Sequence, residues 1–416
     1  MWKQVSEDFW AENRSSKVGD VEKSVTEIIE KVRKEGDAAL FELTKKFDGT
    51  DLKLLEVTRE EIEDAYDTVD PVLVEELENA AYNIQRFHEM QVPPDLWIRE
   101  VEPGVTLGVK STPLDTVGCY VPGGRASYPS TALMCVIPAR VAGVGEVICC
   151  TPAPVNPVTL VAMDIAGADT IFKIGGAQAV AAMALGTESV PKVQKIVGPG
   201  NVYVTSAKML LRNEVEIDFP AGPSEIGVLA DSSADARYLA ADLIAQAEHD
   251  PSAASIMITD DPDLPDEVWE HMESMIENQP RKEIILKALD NSGYIVATDM
   301  ELASEIMDRI APEHLSIQTS NPMDMLNRVK NAGSIFIGPY TPVAAGDYAS
   351  GTNHVLPTAG HSSTASGLNV AHFRKTSTVQ MLTPEGLDAL APTIKTIAEA
   401  EGLIAHSHSV DVRFEE

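Results

Sequence analysis

Apolar residues Val21, Val25, Ile28, Ile29 and Val32 recur at steps of three and four. That period lines them up on one side of an α-helix. Residues 60–91 keep the period and predict more helix. Ahead of them, residues 1–20 are polar apart from Trp2, Phe9 and Trp10, and read as an arm that docks through those side chains. From about residue 112 the texture changes. The short apolar runs DTVGCYV, EVICCTP, TIFKIGG and KIVGPGN are each followed by a stretch of helical period. Such alternation implies a parallel sheet covered by helices. A second series runs through EIGVLAD, IMITD, YIVATD, LSIQT and SIFIG, so the chain reads as two α/β units. Residues 340–368 are rich in Gly, Ser, Thr, Ala and Pro. A loop of that length in a compact chain is functional or disordered, and Asp347, Tyr348, Asn353 and His354 favour function. From Thr383 the tail reads as helix.

Glycines punctuate the strand ends of the first series. VPGG (121–124), IGGAQA (174–179) and GPGN (198–201) each sit after a strand and before a helix. Bare backbone there lets N–H groups approach a phosphate at a helix N-terminus. None is the G-x-G-x-x-G fingerprint or a P-loop, and each alone reads as a tight turn. Three on one sheet edge point to a binding crevice.

Three polar stretches stand out against the apolar background. Around DLIAQAEHD (242–250), Leu239, Leu243 and Ile244 mark an apolar helix face over Tyr238–Ala247, while Gln246 and His249 share one side a turn apart. Two such groups suit a metal ion or a polar helix end in solvent. In APEHL (311–315), Glu313 and His314 precede a strand. A carboxylate beside a histidine can activate water or raise the imidazole's pKa; a surface pair at a helix end is the plainer alternative. FPAGPSE (219–225) links the two series and leaves Ser224 and Glu225 at a strand start. Gln246, His249, Asp347 and His406 together would make a nitrogen and oxygen ligand set suited to Zn2+.

Composition narrows the class. The 416 residues are 44% hydrophobic and 23% charged, with 64 acids against 32 bases and a net charge of −32. A surface this acidic repels nucleic acid and anionic membrane. It suits high intracellular salt, which screens self-repulsion, or plain solubility. Cys119, Cys135, Cys149 and Cys150 form no CxxC pair, which argues against a zinc ribbon or a disulfide scaffold. No run of 18 apolar residues occurs, and MWKQVSEDFW lacks a basic region followed by an apolar run; a cytoplasmic location is expected. Cys149 and Cys150 end a strand, a place for the thiol nucleophile of an aldehyde dehydrogenase or for buried apolar cysteines. An acidic α/β scaffold without catalysis is a third reading.

Seven stretches, in order, resemble one family: GCYVPGGRASYPSTALM, GGAQAVAAMALGTESVPKVQKIVGPGN, IDFPAGPSE, DLIAQAEHD, APEHLSIQT, AGDYASGTNHVLPT and EGLIAH. They look like histidinol dehydrogenase, over about residues 20–410. The resemblance implies oxidation of L-histidinol to L-histidine with two NAD+, the last step of histidine biosynthesis. It implies one Zn2+ per subunit and a homodimer with active sites shared between subunits. By motif position Gln246, His249, Asp347 and His406 would hold the metal, and Glu313 and His314 would be the acid–base pair. Ser224 and Glu401 would meet substrate, together with His314 and the metal ligands; Tyr120, Gln178 and Asn201 would meet NAD+. A relative acting on another amino-alcohol or a sulfonated alcohol is the alternative. The fold expected is α/β, with two incomplete Rossmann-like parallel-sheet domains of aldehyde-dehydrogenase-like kind. The arm spans 1–20. The first α/β domain, 21–119 with 224–370, carries the helical start, metal and catalytic residues. The second, 120–223, binds NAD+. A small helical tail, 371–416, contacts the dimer partner.

Overall fold

Two hydrogen-bonded strands, β1 (Leu96–Glu102) and β2 (Val105–Pro113), form an antiparallel hairpin, after which the chain enters the first α/β series. That series supplies β3 (Thr116–Tyr120), β4 (Glu146–Cys150), β5 (Thr170–Phe172), β6 (Lys195–Val197) and β7 (Glu216–Ile217). The second supplies β8 (Glu225–Ala230), β9 (Ala254–Thr259), β10 (Gly293–Val296), β11 (His314–Gln318) and β12 (Ser334–Ile337). A last strand, β13 (Arg374–Leu382), returns to pair with β2. The structure is a computed structural model that describes residues 2–13, 18–123, 127–220 and 222–415, the side chains of 11–18 aside. Gly124 of VPGG therefore lies outside the described residues, as does Ala221 of FPAGPSE.

The two parallel sheets repeat one topology. Their orders are β5-β4-β3-β6-β7 and β10-β9-β8-β11-β12. Each starts in the middle, winds outward on one side, then crosses to the other. This is the doubly wound order without its sixth strand, so the expected pair of incomplete Rossmann-like sheets is what the chain builds. Strands β8, β9 and β11 are buried at every residue, as a parallel sheet covered on both faces requires. Helices Pro129–Val141 and Pro157–Ala166 pack on one face of the first sheet. The helix Val18–Glu35 packs on the other face with Gly176–Leu185, burying Val25, Ile29 and Val32.

The arm docks on its own chain. Val5 N–H donates to Tyr294 O and Tyr294 N–H to Lys3 O, both at 2.9 Å, so the arm runs alongside β10. Trp2 and Trp10 are buried, while Phe9 lies under the Lys3 ammonium, 4.3 Å from its ring centre.

By contacts the chain divides into two compact units, residues 1–91 with 114–373, and residues 92–113 with 374–416. The second holds β1, β2 and β13 in one antiparallel sheet, then the helices Pro384–Ala400 and Ile404–Asp411. The tail expected to be helical from residue 371 thus contains a nine-residue strand. Its sequence, RKTSTVQML, hides from pattern reading because nearly every side chain faces solvent. Strand β1 is exposed at every residue and lacks the alternation that marks a half-buried strand for the same reason.

Candidate active site

The helix Met300–Ile310 ends in Ala311, whose left-handed φ of 50° turns the chain sharply. Pro312 follows, and two residues later β11 begins. This turn delivers Glu313 and His314 together into the interior, each 5% exposed. Glu313 Oε2 accepts the Glu225 N–H at 2.8 Å. His314 Nδ1 lies 3.2 Å from Glu225 O, which assigns the ring proton to Nδ1 and leaves Nε2 as the basic nitrogen of the neutral ring. Nε2 is buried without a hydrogen-bond partner and stands 3.6 Å from Asp347 Oδ1. Burial pushes the Glu313 carboxyl up to about 8, against the opposing pull of His314 and the Glu225 N–H. Burial disfavours charge on His314 too, but the Glu313 carboxylate first, and then Asp347, raise it to about 9. Both directions favour holding a proton on the pair. The surface-pair alternative is excluded by the burial.

Asp347 sits on the short helix Val343–Tyr348, inside the loop singled out by its composition. Burial alone would raise its carboxyl; His314 chiefly, then His354 and His249, outweigh that and hold it below the ordinary range. It is therefore an anion at neutral pH. Gln246 is buried in the helix Ala236–Ala247. His249 lies just past that helix and is exposed, within electrostatic reach of Asp347 and His314. Desolvation by surrounding atoms lowers its pKa more than Asp347 raises it, leaving a neutral imidazole with a free lone pair.

These donors fit a borderline cation: one carboxylate, one neutral imidazole and one amide. The buried Gln246 amide has an end with no hydrogen-bond partner. Its oxygen and nitrogen ends are alike in shape, so the side chain has bonding capacity to spare. The set is not a complete cage. Among the described residues no group of three or more His, Cys, Asp or Glu is disposed to hold a metal ion. Only His249 and Asp347 of the expected ligands in this unit belong to those types. The other, His406, belongs to the second unit, where it is exposed on the helix Ile404–Asp411; Glu401 is exposed there as well.

Two residues join the site that sequence reading did not place in it. Glu225 holds both members of the pair through its backbone, while its Oε1 accepts Ala359 N–H at 3.1 Å. His354 donates from Nδ1 to Asp347 O at 3.0 Å, and its Nε2 faces Thr131 Oγ1 at 3.4 Å. A histidine in the polar loop was visible in the sequence; its aim was not. Ser224 directly precedes β8, and its carbonyl accepts Ala254 N–H at 3.2 Å.

The Gly-rich turns gather at the other sheet. Tyr120 ends β3 and is buried; Gly176 N–H donates to its hydroxyl at 3.0 Å. Burial pushes the Tyr120 phenol up to about 12, so it stays neutral. Gln178 is buried in the first turn of the following helix. Asn201 Oδ1 caps the helix Val202–Leu210, accepting from Tyr203 N–H at 3.0 Å and Val204 N–H at 3.2 Å. The VPGG and GPGN turns lie at the carboxyl ends of β3 and β6, where strand order reverses and doubly wound sheets bind ligands, and the GGAQ turn lies at the carboxyl end of β5. The Glu313–His314 pair stands instead at the amino ends of β8 and β11. All four cysteines are fully buried, and burial drives the Cys119, Cys135 and Cys150 thiols up. A thiol nucleophile needs an accessible thiolate, which these sites do not offer.

Residues 11–414 match the family model for histidinol dehydrogenase. A histidinol dehydrogenase of Methanosarcina mazei is 52% identical over 406 residues, covering 97% of this chain and 94% of that protein. One from Methanothermobacter thermautotrophicus is 52% identical over 397 residues, covering 94% and 93%. The crystal structure of histidinol dehydrogenase from Elizabethkingia anophelis superposes with a TM-score of 0.95 at 38% identity, covering 99% of this chain and 97% of that one.

Proposed function

Since the chain belongs to the histidinol dehydrogenase family and is an oxidoreductase of that class, we propose that it carries out the last step of L-histidine biosynthesis. The reaction is oxidation of L-histidinol to L-histidine through a bound aldehyde, using two NAD+ and one Zn2+ per subunit. The observation that carries this reading is the buried Glu313–His314 pair with Asp347 beside the imidazole.

Alcohol to acid is a four-electron oxidation, and NAD+ accepts two electrons at a time as hydride. In its neutral form His314 takes the hydroxyl proton at Nε2 in the first oxidation. Glu313, held by the Glu225 N–H, orients and deprotonates the water that hydrates the aldehyde. Gln246, His249 and Asp347, with His406, would hold Zn2+, which when bound supplies an anchor for the substrate's imidazole and amine. Ser224 and Glu401 bind substrate, with Glu401 available to pair with an ammonium group. Tyr120, Gln178 and Asn201 line the NAD+ crevice of the 120–223 domain; residues 21–119 with 224–370 carry the chemistry.

The active unit in this reading is a homodimer with shared sites, in the cytoplasm. Support for a partner comes from the second unit, where Trp97, Ile98, Ile397 and Ile404 are 46%, 50%, 54% and 60% exposed. These exposed apolar side chains offer contact area to a second copy. No helix among the described residues is long and apolar enough to cross a membrane. The test is metal analysis of anaerobically purified protein, followed by NADH formation with L-histidinol. Zinc near one per chain and NADH formation support the reading. Turnover only with another amino-alcohol or a sulfonated alcohol would replace the substrate.

A further inference from the structure

Beyond the residues already assigned, one buried ion pair sits directly behind the proposed NAD+ crevice. Lys208, on the helix Val202–Leu210, pairs with Asp218, just past β7. Their side chains are 4% and 1% exposed. Between them lies Gly198, first residue of the GPGN turn. Its N–H donates to Asp218 Oδ2 at 2.8 Å, and its carbonyl accepts from Lys208 Nζ at 3.0 Å. The second Asp218 oxygen meets Lys208 and also accepts Phe219 N–H at 2.8 Å. Both faces of one peptide segment are thus gripped by opposite charges.

The grip matters because of what Gly198 touches. Its φ is +113°, and a Cβ there would fall 2.2 Å from Tyr120 O. Only glycine fits, and the turn is pressed against the end of β3. Tyr120 in turn receives the Gly176 N–H. Three residues beyond Gly198, Asn201 opens the helix from which Lys208 reaches back. The pair therefore fixes the GPGN turn, and with it Asn201, against Tyr120 and the GGAQ turn. A buried ion pair is seldom a net source of stability, because desolvation offsets its attraction. Its distinctive product here is a fixed turn.

We infer that Lys208 and Asp218 are positioning residues for the dinucleotide: they hold the GPGN turn in the form that receives NAD+, without touching it. This rests on the NAD+ crevice proposed above. Lys195 and His372 also lie within electrostatic reach of Asp218, so removing one charge alone leaves an ambiguous residue of charge. The test is the double variant Lys208→Met/Asp218→Asn. It removes both charges together, and Asn keeps an acceptor for the Gly198 N–H, so neither partner is left as a bare buried ion.

The expected result is a rise of roughly tenfold in KM for NAD+, with kcat and the KM for L-histidinol within about twofold of wild type. NAD+ titration of the protein without substrate should weaken by the same factor, and Lys208→Arg should recover part of it. A folded double variant with a lower melting temperature but unchanged NAD+ affinity overturns the inference and makes the pair merely structural. Should the double variant not fold, Lys208→Gln/Asp218→Asn, which keeps a donor for the Gly198 carbonyl as well, is measured in its place, and unchanged NAD+ affinity there overturns it equally. A wild type that neither binds NAD+ nor reduces it overturns the crevice itself. That outcome is told apart by its appearing before any substitution is made.

Discussion

The backbone N–H of Glu225, first residue of β8, is 2.8 Å from Oε2 of Glu313, the residue before β11. Two neighbouring parallel strands thus share their leading edges through a main-chain donor and the carboxylate proposed to activate water. Glu313→Gln should keep this contact, since an amide oxygen also accepts, and the fold should survive. What is lost is the base. The variant should oxidise the aldehyde roughly a hundredfold more slowly, with alcohol oxidation far less affected. Separate single-turnover rates for histidinol and for its aldehyde check this; equal losses in both refute the division of labour.

His249→Asn should remove zinc and activity together, because the neutral imidazole is one of the few strong donors near Asp347. Metal content and NADH formation measured on one preparation decide it. A zinc-free protein with full activity rules out the metal site.

Glu401 and His406 belong to a different compact unit from Gln246, His249 and Asp347. If sites are shared between subunits, mixing an inactive His406→Asn chain with an inactive Asp347→Asn chain should restore some activity. In a randomly assembled heterodimer one of the two sites is intact, so recovery approaches about half of wild type per heterodimer. Verified heterodimers that stay inactive point to self-contained sites.

Asp242 is buried one turn before Gln246, and burial pushes its carboxyl up to about 6, against the Val343 N–H that it accepts. Its folded pKa lies above the unfolded value near 3.9. Between those values the native state binds more protons than the unfolded chain. Wild-type stability therefore falls as pH rises through that window and levels off above it. Asp242→Asn lacks this slope. Its stability relative to wild type should improve by at most about 3 kcal/mol between roughly pH 4 and pH 7. Denaturant unfolding at both pH values measures the change; a pH-independent difference argues that Asp242 carries no extra proton in the fold.

The doubly wound core was readable because parallel strands buried on both faces give apolar runs such as EIGVLA and SIMIT, with helices of clear period between them. Strands β1 and β13 were not, because nearly all their side chains face solvent and carry no inward stripe. At the site, residue types were legible: Glu313 beside His314, Gln246 a turn from His249. Their arrangement was not, since the strands carrying Glu225 and His314 are separated by 89 positions. Backbone contacts such as those from Glu225 leave no mark in side-chain chemistry. Lys208 and Asp218 stand ten positions apart with no motif to mark them; only the fold places Gly198 between them.

The account stands on two successive oxidations completed at one site before anything is released. The most direct test is to count NADH per L-histidinol consumed, with a carbonyl-trapping reagent such as semicarbazide in the mixture. The account predicts two NADH per histidinol, L-histidine as product and no trapped aldehyde. One NADH per histidinol, with the aldehyde recovered in the trap, would contradict it.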